Sequence, residues 1–436
     1  MRIGIVGLGY VGLTLGIVAA DCGLEVFGTE INPVVKAALK DNHAHFHETG
    51  LNDLIAVHNN KNFYCVEEFP QDKDFNAFII TVGTPLKQNS KTPNFDAIES
   101  AVRSIAKVYN GSQVIILRST VSVGTTRKII LPLLSELSGK NPDEIFVGMC
   151  PERTIEGKAL EELKNLPQIV SGNNKTAIEK CTQLFNKITP SILVANSLEE
   201  AELAKLYCNT YRDMTFAIGN AFCLAAQSFG VDGVDVINLA NAGYSRAGIL
   251  KPGFVAGPCL EKDAYLLTNN MSESDSKNFI LTARKISESL EDIVVDWVSS
   301  HVEKSANKTV VLSGMAFKGR PETSDLRGSS SVNIAKKLNR GGYYNLRLHD
   351  FTAYPAELKS LNCGEVFTDL NAACDGAVAL LVLTNHKRYE EFLPTNLNLK
   401  VLDVWQVCKK IREKNLSKLY TLGNLLLDEE AGKCGE

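Results

Sequence analysis

Arg2-Ile-Gly-Ile-Val6-Gly7-Leu-Gly9-Tyr10-Val11-Gly12 is the stretch on which the fold turns. A run of strand-forming residues leads straight into Gly-x-Gly-x-x-Gly, and an apolar helical run follows. Each glycine has a separate task in such a turn. Gly7 permits the tight bend, Gly9 lets backbone approach a pyrophosphate, and Gly12 lets the helix pack on the strand. The helix start, Tyr10 and Val11, offers N–H groups and a positive dipole end to phosphates. Glu30 ends the next strand, 23 residues after Gly7. A carboxylate there bonds both ribose hydroxyls and repels a 2′-phosphate, so the cofactor expected is NAD rather than NADP.

Working outward, β-rich runs at 25–29, 77–82, 113–117, 145–149, 168–171 and 191–194 alternate with helical patterns. Such alternation predicts a parallel, doubly wound α/β sheet over residues 1–195. The pattern then changes: 198–229 and 272–302 are long, helical in period and free of proline. Residues 196–303 are therefore expected to be a helical central domain whose apolar faces suit a subunit interface. Strand–helix alternation returns at 308–312, 346–349, 376–383 and 400–404, which makes 304–436 a second α/β domain. The last residues, 427–436, are small and polar and read as frayed.

A chain of 436 residues exceeds one core and fits two or three domains. Its net charge of −4 argues against nucleic acid, which needs a basic face. No apolar run of about 20 residues predicts a membrane span. Residues 3–20 are apolar enough to mimic a signal peptide, but their glycines weaken it, and the eleven cysteines include no Cys-x-x-Cys pair. A reducing cytoplasm is the expected compartment.

Two further strand ends point at the cofactor cleft: Thr81-Val-Gly-Thr84-Pro85, and Arg118-Ser-Thr120. Ligands of open α/β sheets lie beyond the carboxyl ends of the strands, where these residues fall. The chemistry is announced elsewhere. Gly253-Phe-Val-Ala-Gly257-Pro-Cys259-Leu-Glu-Lys262-Asp263 sets a thiol in a glycine- and proline-rich loop with a carboxylate four residues on. A nicotinamide and a cysteine nucleophile in one chain suit oxidation of an aldehyde-level carbon through a thioester.

Seven segments in order resemble the UDP-glucose/GDP-mannose dehydrogenase family. They are Gly-Leu-Gly-Tyr-Val-Gly12, Val-Gly-Thr-Pro85, Ser-Thr120-Val, Pro-Glu152-Arg, Ala-Lys205-Leu-Tyr-Cys-Asn209, Gly-Pro-Cys259-Leu-Glu-Lys-Asp263, and Ala-Phe-Lys318 with Asp325-Leu-Arg327. The resemblance implies two Rossmann-like domains, the first for NAD and the second for a UDP-sugar, joined by a helical central domain that makes a homodimer. Pro151-Glu152-Arg153-Thr-Ile-Glu156 and Asn209-Thr-Tyr-Arg212 look like the branch acting on UDP-N-acetylhexosamines, with UDP-N-acetyl-mannosamine the leading substrate. UDP-N-acetylglucosamine, UDP-N-acetylgalactosamine and UDP-glucose are the alternatives. Ala256 departs from the family, whose cysteine loop usually has glycine there.

By the same resemblance the reaction removes four electrons from a C6 alcohol. Lys205 and Asn209, at i and i+4 on one helix, stabilise the oxyanion. Cys259 is the nucleophile, Asp263 or Glu152 the hydrolytic base, and Thr120 holds a water or the reacting oxygen. Glu152, Arg153, Lys205, Asn209, Arg246, Gly257 and Lys318 are the expected substrate contacts. Arg327 is the expected cofactor contact in the C-terminal domain, unless it serves as an ion pair with Asp325. His43-Ala-His45-Phe-His47 could share one strand face and bind zinc, but the following Glu48-Thr-Gly50-Leu51 resembles a family loop without metal. Two other readings stay open: a two-electron hydroxyacid dehydrogenase, which leaves the Cys259 loop without purpose, and an NAD-binding regulator without turnover.

Overall fold

Arg2–Val6 alternates its side chains between two faces, and both faces are covered: Ile3 and Ile5 enter one apolar core, Val6 the other. The same alternation repeats on the next strand inward, where Ile79 joins the first core and Phe78 and Ile80 the second. Strands buried on both faces are the mark of a parallel sheet flanked by helices. The structure is a computed structural model, and it describes residues 1–87, 90–342, 344–396, 398–414 and 418–425. The expected frayed tail at 427–436 lies outside the described residues.

The chain divides into two compact units. The first comprises Met1–Cys208 and Tyr265–Ser272; the second comprises Asn209–Ala264 and everything from Glu273 onward. In the first unit β1 (Arg2–Val6), β2 (Glu25–Thr29), β3 (Phe63–Val66), β4 (Ala77–Ile80), β5 (Val114–Leu117) and β6 (Phe146–Met149) form one sheet of order β3-β2-β1-β4-β5-β6. Every pairing in it is parallel. A small parallel pair, β7 (Gln168–Val170) and β8 (Ile192–Val194), follows. The chain reverses its winding between β1 and β4, which places the ligand-binding switch point beyond Val6 and Ile80.

The second unit carries β9 (Thr309–Ser313), β10 (Asn345–His349), β11 (Glu365–Phe367), β12 (Ala379–Val382), β13 (Lys400–Asp403) and β14 (Leu419–Thr421). Their order, β11-β10-β9-β12-β13-β14, repeats that of the first sheet. The correspondence reaches single hydrogen bonds. Gly7 N–H donates to Thr29 O at 2.9 Å, and Gly314 N–H donates to His349 O at 2.9 Å. Both glycines hold a positive φ, 92° and 89°. The Glu30 carboxylate accepts from Leu8 N–H at 2.8 Å, and the Asp350 carboxylate from Ala316 N–H at 2.9 Å.

Two long helices supply the central segment, Leu198–Gln227 and Asp275–His301, close to the spans the sequence predicts. Ser197 Oγ accepts from Glu200 N–H at 3.0 Å and caps the first of them, while the Glu200 carboxylate accepts from Asn196 N–H at 2.6 Å. Among the described residues no helix is long and apolar enough to cross a membrane.

Candidate active site

The glycine-rich turn of the first unit is built around one close approach. A Cβ on Gly12 would stand 1.9 Å from the Gly7 carbonyl oxygen and 2.5 Å from Thr81 Oγ1, so the helix can sit this close to the strand only with glycine. Thr81 Oγ1 donates to that same Gly7 carbonyl at 2.6 Å. Gly9 is the opposite case: nothing lies within 4 Å of where its Cβ would be. It caps the helix Tyr10–Asp21, whose first turn has no acidic residue and no side-chain cap. Open space before uncapped N–H groups fits a pyrophosphate, and Gly7, Gly9, Tyr10, Val11 and Gly12 are the residues that would hold it.

Around this turn the expected cofactor residues take definite places. Glu30 spends its carboxylate on N–H groups of Leu8, Ile31 and Asn32, each at 2.8 Å, and so shapes the turn. Tyr10 keeps its hydroxyl for the protein: it donates to Glu48 Oε2 at 2.6 Å, and burial raises its pKa. Glu48 in turn accepts from Gly157 and Ala159 N–H at 2.7 and 2.8 Å, which fastens the loop after Glu152. Thr84 is buried and donates to the Thr120 carbonyl at 2.6 Å, joining the loops beyond β4 and β5, while Pro85 is exposed. Glu152 is buried and accepts from Thr154 N–H; Arg153 donates to the Pro167 carbonyl. Lys205 is 7% exposed on the helix Leu198–Gln227.

In the second unit Asp263 is the hub. It is 1% exposed; Asn209 Nδ2 donates to its Oδ2 at 2.6 Å, and Lys262 Nζ pairs with its Oδ1 at 2.7 Å. Asp263 lies in the first turn of the helix Leu260–Thr268. Cys259 immediately precedes that helix, exposed, and its carbonyl accepts from the N–H groups of Lys262 and Asp263 at 3.2 and 3.1 Å. The thiol therefore stands at a helix N-terminus, the position where dipole and N–H groups favour a thiolate. Gly257 holds φ at 99° and donates its N–H to Gly328 O at 2.8 Å; a Cβ there would meet the Phe317 ring at 2.6 Å. Lys318 lies 5.2 Å from that ring's centroid.

Two expected residues stand differently. Arg246 is exposed over the Tyr244 ring at 4.9 Å, and among the described residues no hydrogen bond joins it to Asn209, Cys259 or Asp263. The Arg327 guanidinium forks onto Asp325, Nη2 to Oδ2 at 2.6 Å and Nε to Oδ1 at 3.0 Å, which is the ion pair the sequence offered as its other role.

Several supporting residues escaped the sequence reading. Lys262 sits inside the quoted motif and drew no role. The sequence placed Arg118 at a strand end beside the cofactor cleft but gave it no clamping role: it is 2% exposed and donates to the Cys150 carbonyl at 3.2 Å and to Gln168 Oε1 at 2.8 Å, and Gln168 Nε2 donates to the Pro151 carbonyl at 3.1 Å. The two residues before Glu152 are thus clamped. Glu202, 1% exposed, accepts from Thr126 N–H and Oγ1 at 2.9 and 2.6 Å, tying the loop after Thr120 to the helix of Lys205.

Comparison with known proteins agrees with this geometry. The chain matches the NAD binding domain of the UDP-glucose/GDP-mannose dehydrogenase family over residues 1–189, the central domain over 199–288 and the UDP binding domain over 311–410. The UDP-N-acetyl-D-mannosamine dehydrogenase of Campylobacter jejuni is 28% identical over 400 residues, covering 89% of this chain and 96% of that protein. An NDP-N-acetyl-D-galactosaminuronic acid dehydrogenase of Ralstonia nicotianae is 28% identical over 415 residues, covering 92% and 94%. Among solved structures, the UDP-D-ManNAc dehydrogenase from Pyrococcus horikoshii aligns with a TM-score of 0.83 at 27% identity, covering 97% of this chain and 99% of that one. An NAD binding domain with an open glycine turn and a UDP binding domain that repeats its topology are together the signature of one lineage: the chain belongs to the UDP-glucose/GDP-mannose dehydrogenase family.

Proposed function

We propose that the chain oxidises the C6 alcohol of a UDP-N-acetylhexosamine to the carboxylate through a thioester on Cys259, with UDP-N-acetyl-mannosamine as substrate. The observation that carries the reading is the exposed Cys259 thiol at the start of a helix whose first turn holds Asp263 against Asn209. The names of the relatives support the mannosamine choice; the galactosaminuronate relative keeps its epimer as the second candidate.

NAD, when bound, accepts a hydride in each of the two oxidations. The chain's own residues do the rest. Lys205 and Asn209 stabilise the developing oxyanion, worth about 10²–10³ in rate per donor. The Cys259 thiolate adds to the aldehyde, and the resulting thiohemiacetal is oxidised to a thioester. Asp263 has both oxygens engaged, by Asn209 and Lys262, and acts as the orienting carboxylate. Glu152, with one oxygen engaged by Thr154, is the base that activates the hydrolytic water, and Thr120 holds that water. Glu152, Arg153, Gly257, Lys318 and Arg246 are proposed to bind the substrate, and Arg327 to reach the cofactor while Asp325 orients its guanidinium. The chain works as three parts, 1–195, 196–303 and 304–436, and as a cytoplasmic homodimer. Exposed Tyr211, Ile218 and Phe222 on the helix Leu198–Gln227 support a subunit interface there.

The decisive experiment counts NADH released by limiting UDP-sugars from a panel, with products weighed by mass spectrometry. The expected result is two NADH per UDP-N-acetyl-mannosamine and no uronate from Cys259→Ser. One NADH per sugar, or full uronate formation by the serine variant, ends the thioester reading.

A further inference from the structure

Arg284 is 2% exposed in the middle of the helix Asp275–His301, where an apolar side chain would fill the same space without desolvating a charge. What distinguishes a guanidinium is its rigid fork of donors. Nη1 donates to Asp213 Oδ1 at 2.9 Å and to the Leu260 carbonyl at 3.3 Å, and Nη2 makes a long contact to the Val255 carbonyl at 3.5 Å. Nε stands 3.6 Å from Glu288 Oε1, one turn along the same helix. Asp213, 1% exposed, supplies the countercharge from the helix Leu198–Gln227, one turn beyond Asn209. Val255 and Leu260 bracket Cys259 in the chain. The fork therefore grips the main chain on both sides of the thiol and refers it to the helix that carries Asn209.

We propose that Arg284, neutralised by Asp213, is a positioning residue for Cys259, fixing the loop at Val255 and Leu260 so that the thiol and the Asn209–Asp263 pair hold one geometry. The proposal rests on Cys259 being the nucleophile, and it extends that reading to a residue remote from it in sequence. Arg284 adds its grips at Val255 and Leu260 to others along the same stretch: Asn220 bonds Gly253 in both directions, at 2.9 and 3.2 Å, and Gly257 N–H donates to Gly328 O. Lysine cannot substitute, because one ammonium cannot reach an aspartate and two separated carbonyls at once.

The test uses the full chain with Arg284→Lys, and with Arg284→Met combined with Asp213→Leu. The double variant removes both buried charges together, which keeps a fold better than stranding one of them. Two readouts are taken: the rate at which iodoacetamide alkylates Cys259, located by peptide mass spectrometry, and the NADH released per UDP-sugar. Loosening the thiol should cut the second oxidation by about 10- to 100-fold, so that the NADH ratio, read in a single turnover at the time the wild type completes both steps, falls toward one while the KM for NAD stays within about twofold. The alkylation rate should shift in both variants, with Arg284→Lys the milder. Wild-type alkylation and a ratio of two in the double variant would overturn the proposal. Failure of that variant to fold would overturn it as well, since the pair would then serve the fold alone. If Cys259→Ser still makes uronate but alkylation depends on Arg284, the nucleophile assignment fails and the positioning stands.

Discussion

Gly9 and Gly12 occupy the same turn, and replacing each with alanine should damage different things. At Gly12 the new methyl would lie 1.9 Å from the Gly7 carbonyl oxygen, where about 3.3 Å is needed, and 2.5 Å from Thr81 Oγ1. Helix and strand must part by more than an ångström, an overpacking cost of about 1–3 kcal/mol or more. At Gly9 the methyl meets nothing within 4 Å, and φ of −65° is open to any residue. The exchange costs only the difference between glycine and alanine as a helix cap, about 0.5 kcal/mol. The methyl would, however, fill the space before the helix N–H groups. Losing one charge-assisted bond to a phosphate costs about 1.5–3 kcal/mol, or about 10- to 150-fold in NAD affinity. Calorimetric or fluorescence titration with NAD gives the affinity, and thermal unfolding gives the stability. Gly12→Ala should lower the melting temperature, whereas Gly9→Ala should leave it nearly unchanged and still weaken NAD at least tenfold. A Gly9→Ala protein that binds NAD like the wild type would refute the assignment of this turn.

Three further outcomes are expected. Burial depresses His349, which is 0% exposed, from its ordinary 6.5 to about 4, so the unfolded chain takes up a proton in that window and the folded chain does not. Stability present above pH 6.5 should be lost as pH falls to 4, by up to about 3 kcal/mol, and the difference in urea unfolding between wild type and His349→Gln should change across that range; a gap independent of pH would contradict it. Asn209→Ala removes the donor to Asp263 Oδ2 and should lower kcat about 10²–10³-fold with NAD affinity intact; an unchanged kcat would remove Asn209 from the chemistry. Tyr211→Lys with Phe222→Lys should convert a dimer into a 47.6 kDa particle by light scattering, and a mass unchanged from wild type would place the interface elsewhere.

The glycine turn was legible because each glycine answers a local steric demand, and the strand starts were legible because buried parallel strands are continuous apolar runs. The edge strands β3, β11 and β14 were not: Phe63–Val66 and Glu365–Phe367 are short and only partly buried, so neither extends into the long apolar run that marks the inner strands. The order of strands within each sheet is likewise a property of connections and not of any one segment. At the site, the Cys259–Asp263 spacing is visible, but the sequence reads it as a loop; the structure starts a helix at Leu260 and thereby gives the thiol its dipole. Arg284 was the least legible. Thr282-Ala-Arg-Lys-Ile286 sits among charged residues that read as a solvated face, and only the fold shows that the arginine turns inward to Asp213.

The twin sheets carry one consequence for stoichiometry. Aligning Gly7 with Gly314 sets Ala316 where the first half has Gly9, so the later copy already bears the methyl that would crowd a pyrophosphate. The two sheets share one strand order, and of the two turns only the earlier has glycine at this place, with nothing within 4 Å of where a Cβ would stand. Each polypeptide should accordingly saturate with one equivalent of NAD, leaving its second frame to a ligand gripped by side chains.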